Sequence, residues 1–269
     1  MTFTVSTWSL HRTLGSFYRD SPDEARDDVA EPRWGPERLS LLDLPAELNR
    51  RGYRATQICH FNLPSRDPGY LAELRSSLDD AGVELDALLV DDGDLTHPTD
   101  ADRHEAWISG WVESAQMLGA VKARVIAGKQ LPTPERLAQS ATRLNGLADR
   151  HPEIRIVTEN WLELLPTAAD VHAVFERTEG RVGLCLDFGN WTGPDKYDEL
   201  ASVADYTETC HAKCGFTADG PDDADFTRCL ELLRDTGYTG PLALIYDGPD
   251  DDEWAGLATE LRIAEPVVG

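Results

Sequence analysis

The 269-residue chain is 41% hydrophobic and 28% charged, enough for a sizeable core in one large α/β domain or two small ones. Its formal net charge of −24 repels nucleic-acid phosphates and anionic membranes, which argues against a DNA-binding protein. The opening MTFTVSTWSLHR lacks a basic start followed by a long apolar run, no later stretch is long enough to span a bilayer, and the five cysteines are irregularly spaced; a cytoplasmic protein with reduced thiols and no membrane partner is expected.

The first β-like run is FTVSTWSL (3–10), followed by an irregular, acidic stretch at 13–41 that reads as one long loop. DLPAELNRRG (43–52) is helical and leads into YRATQICH (53–60). PGYLAELRSSLDDAG (68–82) carries Leu71, Leu74 and Leu78 on one face and precedes LDALLVD (85–91). TDADRHEAWISGWVESAQMLG (99–119), with Trp107, Trp111 and Met117 on roughly helical spacing, precedes ARVIAG (123–128). Thr133-Pro134-Glu135 opens the next helix (133–150) with an N-cap and a first-turn proline, ahead of IRIVTEN (154–160). Helical segments at 168–180, 196–206, 223–237 and 251–262 then alternate with VGLCLDF (182–188), YTETCHAK (206–213) and LALIYD (242–247). Gly52, Gly82, Gly119, Gly180 and Gly237 each close a helix just before a strand. The acidic clusters at 20–28 and 248–254 read as solvated loops or helix starts.

Eight strands in strict alternation with eight helices, and no linker between them, predict an α/β fold of one domain: a (β/α)8 TIM barrel over residues 1–269, with 13–41 as a long first βα loop on the active-site face. On such a barrel, a polar residue at the C-terminal end of a strand points into the mouth. Glu159, Asp187 and His211 end three consecutive strands. With neighbouring strands ~5 Å apart, their side chains can converge on one cation. The alternative is that Asp187 caps the following helix and the other two are separate polar residues. Two carboxylates and an imidazole suit one divalent metal; the oxygen bias favours Mn²⁺ or Mg²⁺, with Zn²⁺ or Co²⁺ also compatible.

His60, Lys129, Asn160, Trp161, Asn190 and Lys213 also fall at or just past strand ends and are candidate substrate contacts. Trp161 and Trp191 can stack on a sugar ring or simply pack. Lys213 lies two positions after His211, so both should face the mouth. Cys210 and Cys214 then face the helices, which disfavours a zinc knuckle. AGKQ (127–130) lacks the first glycine and the Ser/Thr of a phosphate loop. His104, His151 and His172 fall on helices and are expected at the surface.

These residues resemble the xylose isomerase-like TIM barrels, also described as AP endonuclease family 2, which include sugar isomerases, epimerases and inosose dehydratases. The resemblance covers nearly the whole chain and is most specific at Glu159-Asn160-Trp161, Asp187-Phe188-Gly189-Asn190-Trp191 and His211-Ala212-Lys213. It implies one divalent metal held by Glu159, Asp187, His211 and a further glutamate from the last strand. In the epimerases the two glutamates also move protons. Here Ile245 occupies that glutamate's place, in Leu244-Ile245-Tyr246-Asp247. Asp247 shares the face of Ile245 roughly 6–7 Å further up the strand. It is expected to complete the site as fourth ligand, directly or through a water, and as a catalytic carboxylate beside Glu159; capping the turn at Gly248-Pro249 is the alternative. The nuclease branch, with its trinuclear zinc cluster, fits poorly. The expected function is therefore a metal-dependent isomerase or epimerase of a small sugar or polyol-derived carbonyl compound. A lyase using the same metal, on an inosose-like or oxidised C-glycoside substrate, and a non-catalytic sugar-binding subunit are the alternatives. A homo-oligomer is left open.

Overall fold

The computed structural model describes residues 1–24, 26, 29–217 and 220–269. Positions 25, 27 and 28 of the acidic 20–28 cluster lie outside the described residues. The strands are β1 (Thr2–Ser6), β2 (Ala55–Cys59), β3 (Glu84–Leu89), β4 (Lys122–Val125), β5 (Arg155–Glu159), β6 (Gly183–Asp187), β7 (Thr207–Lys213), β8 (Phe216–Thr217), β9 (Gly220–Pro221) and β10 (Pro241–Ile245). The helices are α1 (His11–Leu14), α2 (Leu44–Arg50), α3 (Pro68–Ala81), α4 (Ala101–Leu118), α5 (Pro134–Arg150), α6 (Ala168–Thr178), α7 (Lys196–Val203), α8 (Asp223–Asp235) and α9 (Glu253–Val268). Eight parallel strands close in the order β1-β10-β7-β6-β5-β4-β3-β2, while β8 and β9 form a small antiparallel hairpin in the loop after β7. The expected barrel is the observed one.

Side-chain alternation explains how the barrel holds both a core and a site. Outward residues such as Leu184 and Leu186 of β6, Cys210 and Ala212 of β7, and Leu242 and Leu244 of β10 join the large apolar cluster against the helices. Buried Leu71, Leu74 and Leu78 of α3 join it from the other side, each such side chain contributing roughly 1.5–3 kcal/mol when fully buried. The alternate positions face the axis and are largely polar: Gln57, Asp86, Lys122, Arg124, Glu159, Asp187, Thr209 and His211 are all buried. Buried charge on this scale is tolerated only when paired and hydrogen-bonded.

Local chemistry sets the element ends. Thr133 Oγ1 accepts from the Arg136 amide, and Pro134 follows it at the start of α5. Gly82 and Gly119 close α3 and α4 in the left-handed conformation, with φ of +62° and +78°. β1 stops at Ser6 because the Ser6 hydroxyl caps a 3-10 turn over Thr7–Leu10. β2 likewise stops at Cys59, and a 3-10 turn over His60–Asn62 swings His60 off the strand. The last helix runs past its expected end to Val268 with Pro266 inside it. Buried Glu253 accepts the Arg12 and Thr13 amides at 2.7 and 2.8 Å, tying this helix to the start of the chain.

Two histidines expected at the surface are buried. His104 Nδ1 accepts the Asp94 amide at 3.0 Å and its ring stacks on His97, while His151 Nε2 meets the Ser109 hydroxyl at 2.7 Å. Helical periodicity marks a face, but it does not reveal that a polar ring on that face has a partner in a neighbouring loop or helix. His172 is half-buried beside Tyr206.

Glu260 of α9 is fully buried, and burial pushes its carboxyl well above the ordinary value of 4.5 despite the nearby Cys214 amide and Lys213. The folded chain therefore binds this proton more tightly than the unfolded chain, and stability falls as pH rises from about 4.5 through the raised value. Glu260→Met removes that loss. Its stability advantage over the parent is expected to grow from pH 4.5 to pH 8 by on the order of 1–3 kcal/mol, the cost of a buried unsatisfied polar group. Thermal melts across that range check it; a difference independent of pH would refute it.

Candidate functional site

The ends of β5, β6 and β7 bring Glu159, Asp187 and His211 together. Asp187 and His211 are direct partners across β6 and β7, and Glu159 pairs with Cys185 across β5 and β6. His211 Nδ1 lies 3.5 Å from Glu159 Oε2 and 3.5 Å from Asp187 Oδ2. All three side chains are buried. Among the described residues, the group whose donor atoms lie within 4.8 Å of one another is Glu159, His211 and Cys185, the last unmarked by its sequence context.

A hydrogen-bonded chain beneath the site fixes the His211 ring. Lys122 Nζ pairs with Asp86 Oδ1 at 2.6 Å. Asp86 Oδ2 accepts from Gln57 Nε2 at 2.8 Å and from the Thr209 hydroxyl at 2.8 Å. A carboxylate can only accept, so the Gln57 amide nitrogen must face Asp86 and its Oε1 must face His211. His211 Nε2 lies 2.9 Å from that oxygen and therefore carries the hydrogen. Nδ1 is left to face the two carboxylates.

Arg124, buried on β4, sets the charge balance. Its guanidinium pairs with Asp91 at the end of β3 and lies 3.2 Å from Glu159 Oε2 through Nε. Burial alone would lower the Arg124 pKa, but Asp91 and Glu159 raise it above its ordinary value. Burial likewise opposes the charge on Glu159; Arg124 and then His211 outweigh it and hold the carboxyl below its usual range. Asp91, buried as deeply, is held down to about 2 by Arg124 and His60. Burial disfavours the charged His211 ring, yet Cys185, Glu159 and Asp187 raise its pKa well above the ordinary value. The pocket thus attracts positive charge at the point where Nδ1 faces the carboxylates.

A cavity of about 500 Å³, counted to its open mouth, lies over these groups. Glu159, Asp187, His211, Arg124, Asp91, Trp161, Asn190, Lys213, Trp8 and Ile245 are among the residues that line it. A concave wall of mixed apolar and polar side chains suits a small molecule. Asn190 donates to Glu159 Oε1 at 2.7 Å. Lys213 faces the cavity, as its two-residue offset from His211 requires, and pairs with Asp247 at 2.9 Å.

Other sequence-selected residues lie to the side. His60 packs against Trp107 and Trp111 and accepts the Asp91 amide through Nδ1 at 3.1 Å, so it supports the wall and does not line it. Asn160 is buried behind β6, accepting the Asp187 amide at 2.7 Å and donating to the Asp187 carbonyl at 3.1 Å. Lys129 pairs with Asp92, and its amide donates to Asp94. Asp247 is 42% exposed at the rim and is absent from the lining. Trp191 is buried, with Nε1 on the Leu165 carbonyl, and packs in the core. Sequence reasoning passed over Arg124, Gln57, Cys185 and Trp8, and marked Asp91 only as a strand-end residue of the mouth. Arg124 and Gln57 become visible only once strand pairing shows which face is axial.

The residues present fit a cation. Glu159 Oε2 is buried and accepts no hydrogen bond. The separation of His211 Nδ1 from each carboxylate is close to the edge of about 3.4 Å between ligand atoms held ~2.1 Å from one tetrahedral ion, while Asp187 falls outside the set of donor atoms that lie within 4.8 Å of one another, so the two carboxylates would draw together around an ion. Arg124 shares Glu159, so the cation must divide that carboxylate with a guanidinium.

A closed parallel barrel of eight strands with a polar, carboxylate-rich mouth is a (β/α)8 architecture. The chain belongs to the xylose isomerase-like TIM barrel family, whose description matches residues 45–263. No curated protein sequence matches it. Solved structures share its fold. A xylose isomerase-like TIM barrel protein from Mycobacterium smegmatis in complex with magnesium aligns at 15% identity and a TM-score of 0.69, over 100% of this chain and 98% of its own. The probable 3-DHS dehydratase AsbF of petrobactin synthesis from Bacillus anthracis aligns at 13% and 0.71, over 98% and 99%. D-psicose 3-epimerase from Clostridium cellulolyticum aligns at 13% and 0.73, over 100% and 99%. At such identities the likeness is one of fold.

Gln57→Leu leaves Asp86 Oδ2 short of one donor and His211 Nε2–H without its acceptor. The variant is expected to lose about 1–3 kcal/mol of stability in urea denaturation. A midpoint equal to the parent's would mean that the network does not depend on Gln57.

Proposed function

We propose that this chain is a divalent-metal-dependent isomerase or epimerase acting on a small sugar or polyol-derived carbonyl compound. The observation that carries the reading is the His211 ring: Gln57 takes its Nε2–H and leaves Nδ1 facing Glu159 and Asp187 at equal distance. A metal-binding histidine characteristically gives its second nitrogen to such an acceptor. Glu159, Asp187 and His211 would hold the ion. A divalent cation bound there polarises a carbonyl and an adjacent hydroxyl. The two carboxylates favour Mn²⁺ or Mg²⁺, and the magnesium complex of the Mycobacterium smegmatis protein is in keeping with that choice.

The remaining steps belong to the chain's own side chains. Asn190 and Arg124 pin Glu159 in one orientation beneath the cavity, where its carboxylate can take a proton from the carbon beside the carbonyl. Lys213, oriented by Asp247, offers a donor to a substrate oxygen from the rim. Trp161 and Trp8 supply apolar walls against which a sugar ring can lie. Asp91 balances the Arg124 charge and keeps the guanidinium at its post.

Elimination is the second reading, and Ile245 favours it. This residue lines the cavity where a second glutamate would stand, so two-base proton exchange on opposite faces of one carbon lacks its second base. Removal of one proton and loss of a neighbouring hydroxyl as water need a single carboxylate, since Glu159 can pass the proton it takes to the departing hydroxyl. The dehydratase among the fold neighbours lends this reading support.

Elemental analysis of the purified protein is expected to find one divalent metal, lost in His211→Ala and in Asp187→Ala; unchanged content in both variants would overturn the metal site. With metal bound, incubation with keto sugars in D₂O is expected to place deuterium at the carbon beside the carbonyl, and Glu159→Gln to abolish the uptake. Metal without uptake would favour elimination or simple binding. Neither metal nor uptake would leave a binding subunit.

A further inference from the structure

We propose that Cys185 is a protein ligand to the metal, adding from below a donor that β10 does not supply and turning the site toward a thiolate-binding cation such as Zn²⁺ or Co²⁺. The inference rests on the metal site above and replaces the preference for Mn²⁺ or Mg²⁺ that the two carboxylates alone would give.

Ile245 faces the cavity with no donor atom, and the Asp247 carboxylate is engaged by Lys213 at the rim. Neither Ile245 nor Asp247, two residues past β10, offers a free ligand. Cys185 lies one layer below Asp187 on the same face of β6, directly opposite Glu159 on β5. Its sulfur is within 4.8 Å of the nearest donor atoms of both Glu159 and His211.

Ordinary cysteine packing does not account for this placement. Cys210, Cys214 and Cys229 belong to the apolar layer between strands and helices, and Cys59 belongs to a small cluster with Phe61, Ala87 and Leu89. Cys185 belongs to neither cluster and is the cysteine whose donor atom groups with a carboxylate and an imidazole. A small hydrophobe has little reason to point at such a pair, whereas a soft ligand does. Oxygen-only sites suit Mg²⁺ and Mn²⁺, while a thiolate added to an imidazole and a carboxylate selects Zn²⁺ or its spectroscopic stand-in Co²⁺. As the sulfur–metal bond forms, the thiol proton is released to solvent.

Titration of the metal-free protein with Co²⁺, followed by absorption, tests this directly. The parent is expected to show visible d–d bands together with a near-ultraviolet thiolate-to-cobalt band. Cys185→Ser and Cys185→Ala are expected to lose the near-ultraviolet band, to keep visible bands, and to bind Zn²⁺ at least about tenfold more weakly. Visible bands in the parent without the thiolate band would overturn the Cys185 ligand and leave the metal reading standing. Persistence of that band in both variants would overturn it too. Failure of the parent to bind Co²⁺ at all would overturn the metal reading and this refinement together. The parent spectrum decides the matter even if a variant does not fold.

Discussion

The site depends on the hydrogen-bonded column that runs from Lys122 through Asp86 and Gln57 to His211. Each member constrains the next: the ammonium pairs with the carboxylate, the carboxylate sets the amide, and the amide sets the ring tautomer. The column fills a barrel interior that would otherwise need apolar packing, and Asp86, Gln57 and Thr209 close it sideways. Buried polar networks of this kind hold one arrangement when every member is satisfied. Here the consequence is a ring delivered to the mouth with Nε2 engaged by Gln57 and Nδ1 turned to the carboxylates.

Arg124 is the second fixed charge. It lies between Asp91 and Glu159 on the β4 side while His211 lies on the β7 side, so Glu159 is held between two cationic groups. A glutamate held this way is a firm anion and a modest base. That favours its role as an anchor for a cation over that of a strong proton acceptor, and it limits any proton transfer to carbon acids already polarised by a bound cation.

The barrel was legible because strands and helices alternate without interruption, with glycines such as Gly82 and Gly119 punctuating helix ends. Glu159, Asp187 and His211 were legible because strand-end position alone predicts that they meet. The rest needed the register. Arg124 and Gln57 lie in short strands where either face is plausible from sequence, and only pairing across the barrel shows which side is axial. His60 looked equivalent to the other strand-end residues, but the 3-10 turn at His60–Asn62 rotates it beneath Trp107 and Trp111. Cys185 was hidden for a different reason: between Leu184 and Leu186 it reads as one more apolar strand residue.

Glu253 joins residues 241 and 240 positions apart along the chain when it accepts the Arg12 and Thr13 amides, and β1 finds its second neighbour only in β10. The seam of the barrel is therefore made of the most sequence-distant contacts in the molecule, the kind whose loop-closure cost slows folding. On a ribosome, β5, β6 and β7 emerge and can pair before the final strand exists, while β1 waits with one edge unpaired. An open strand edge is a template for association with other chains. The last thirty or so residues thus act as a clasp: until they arrive, the chain carries its site residues but not the closed wall that keeps them apart from other nascent chains.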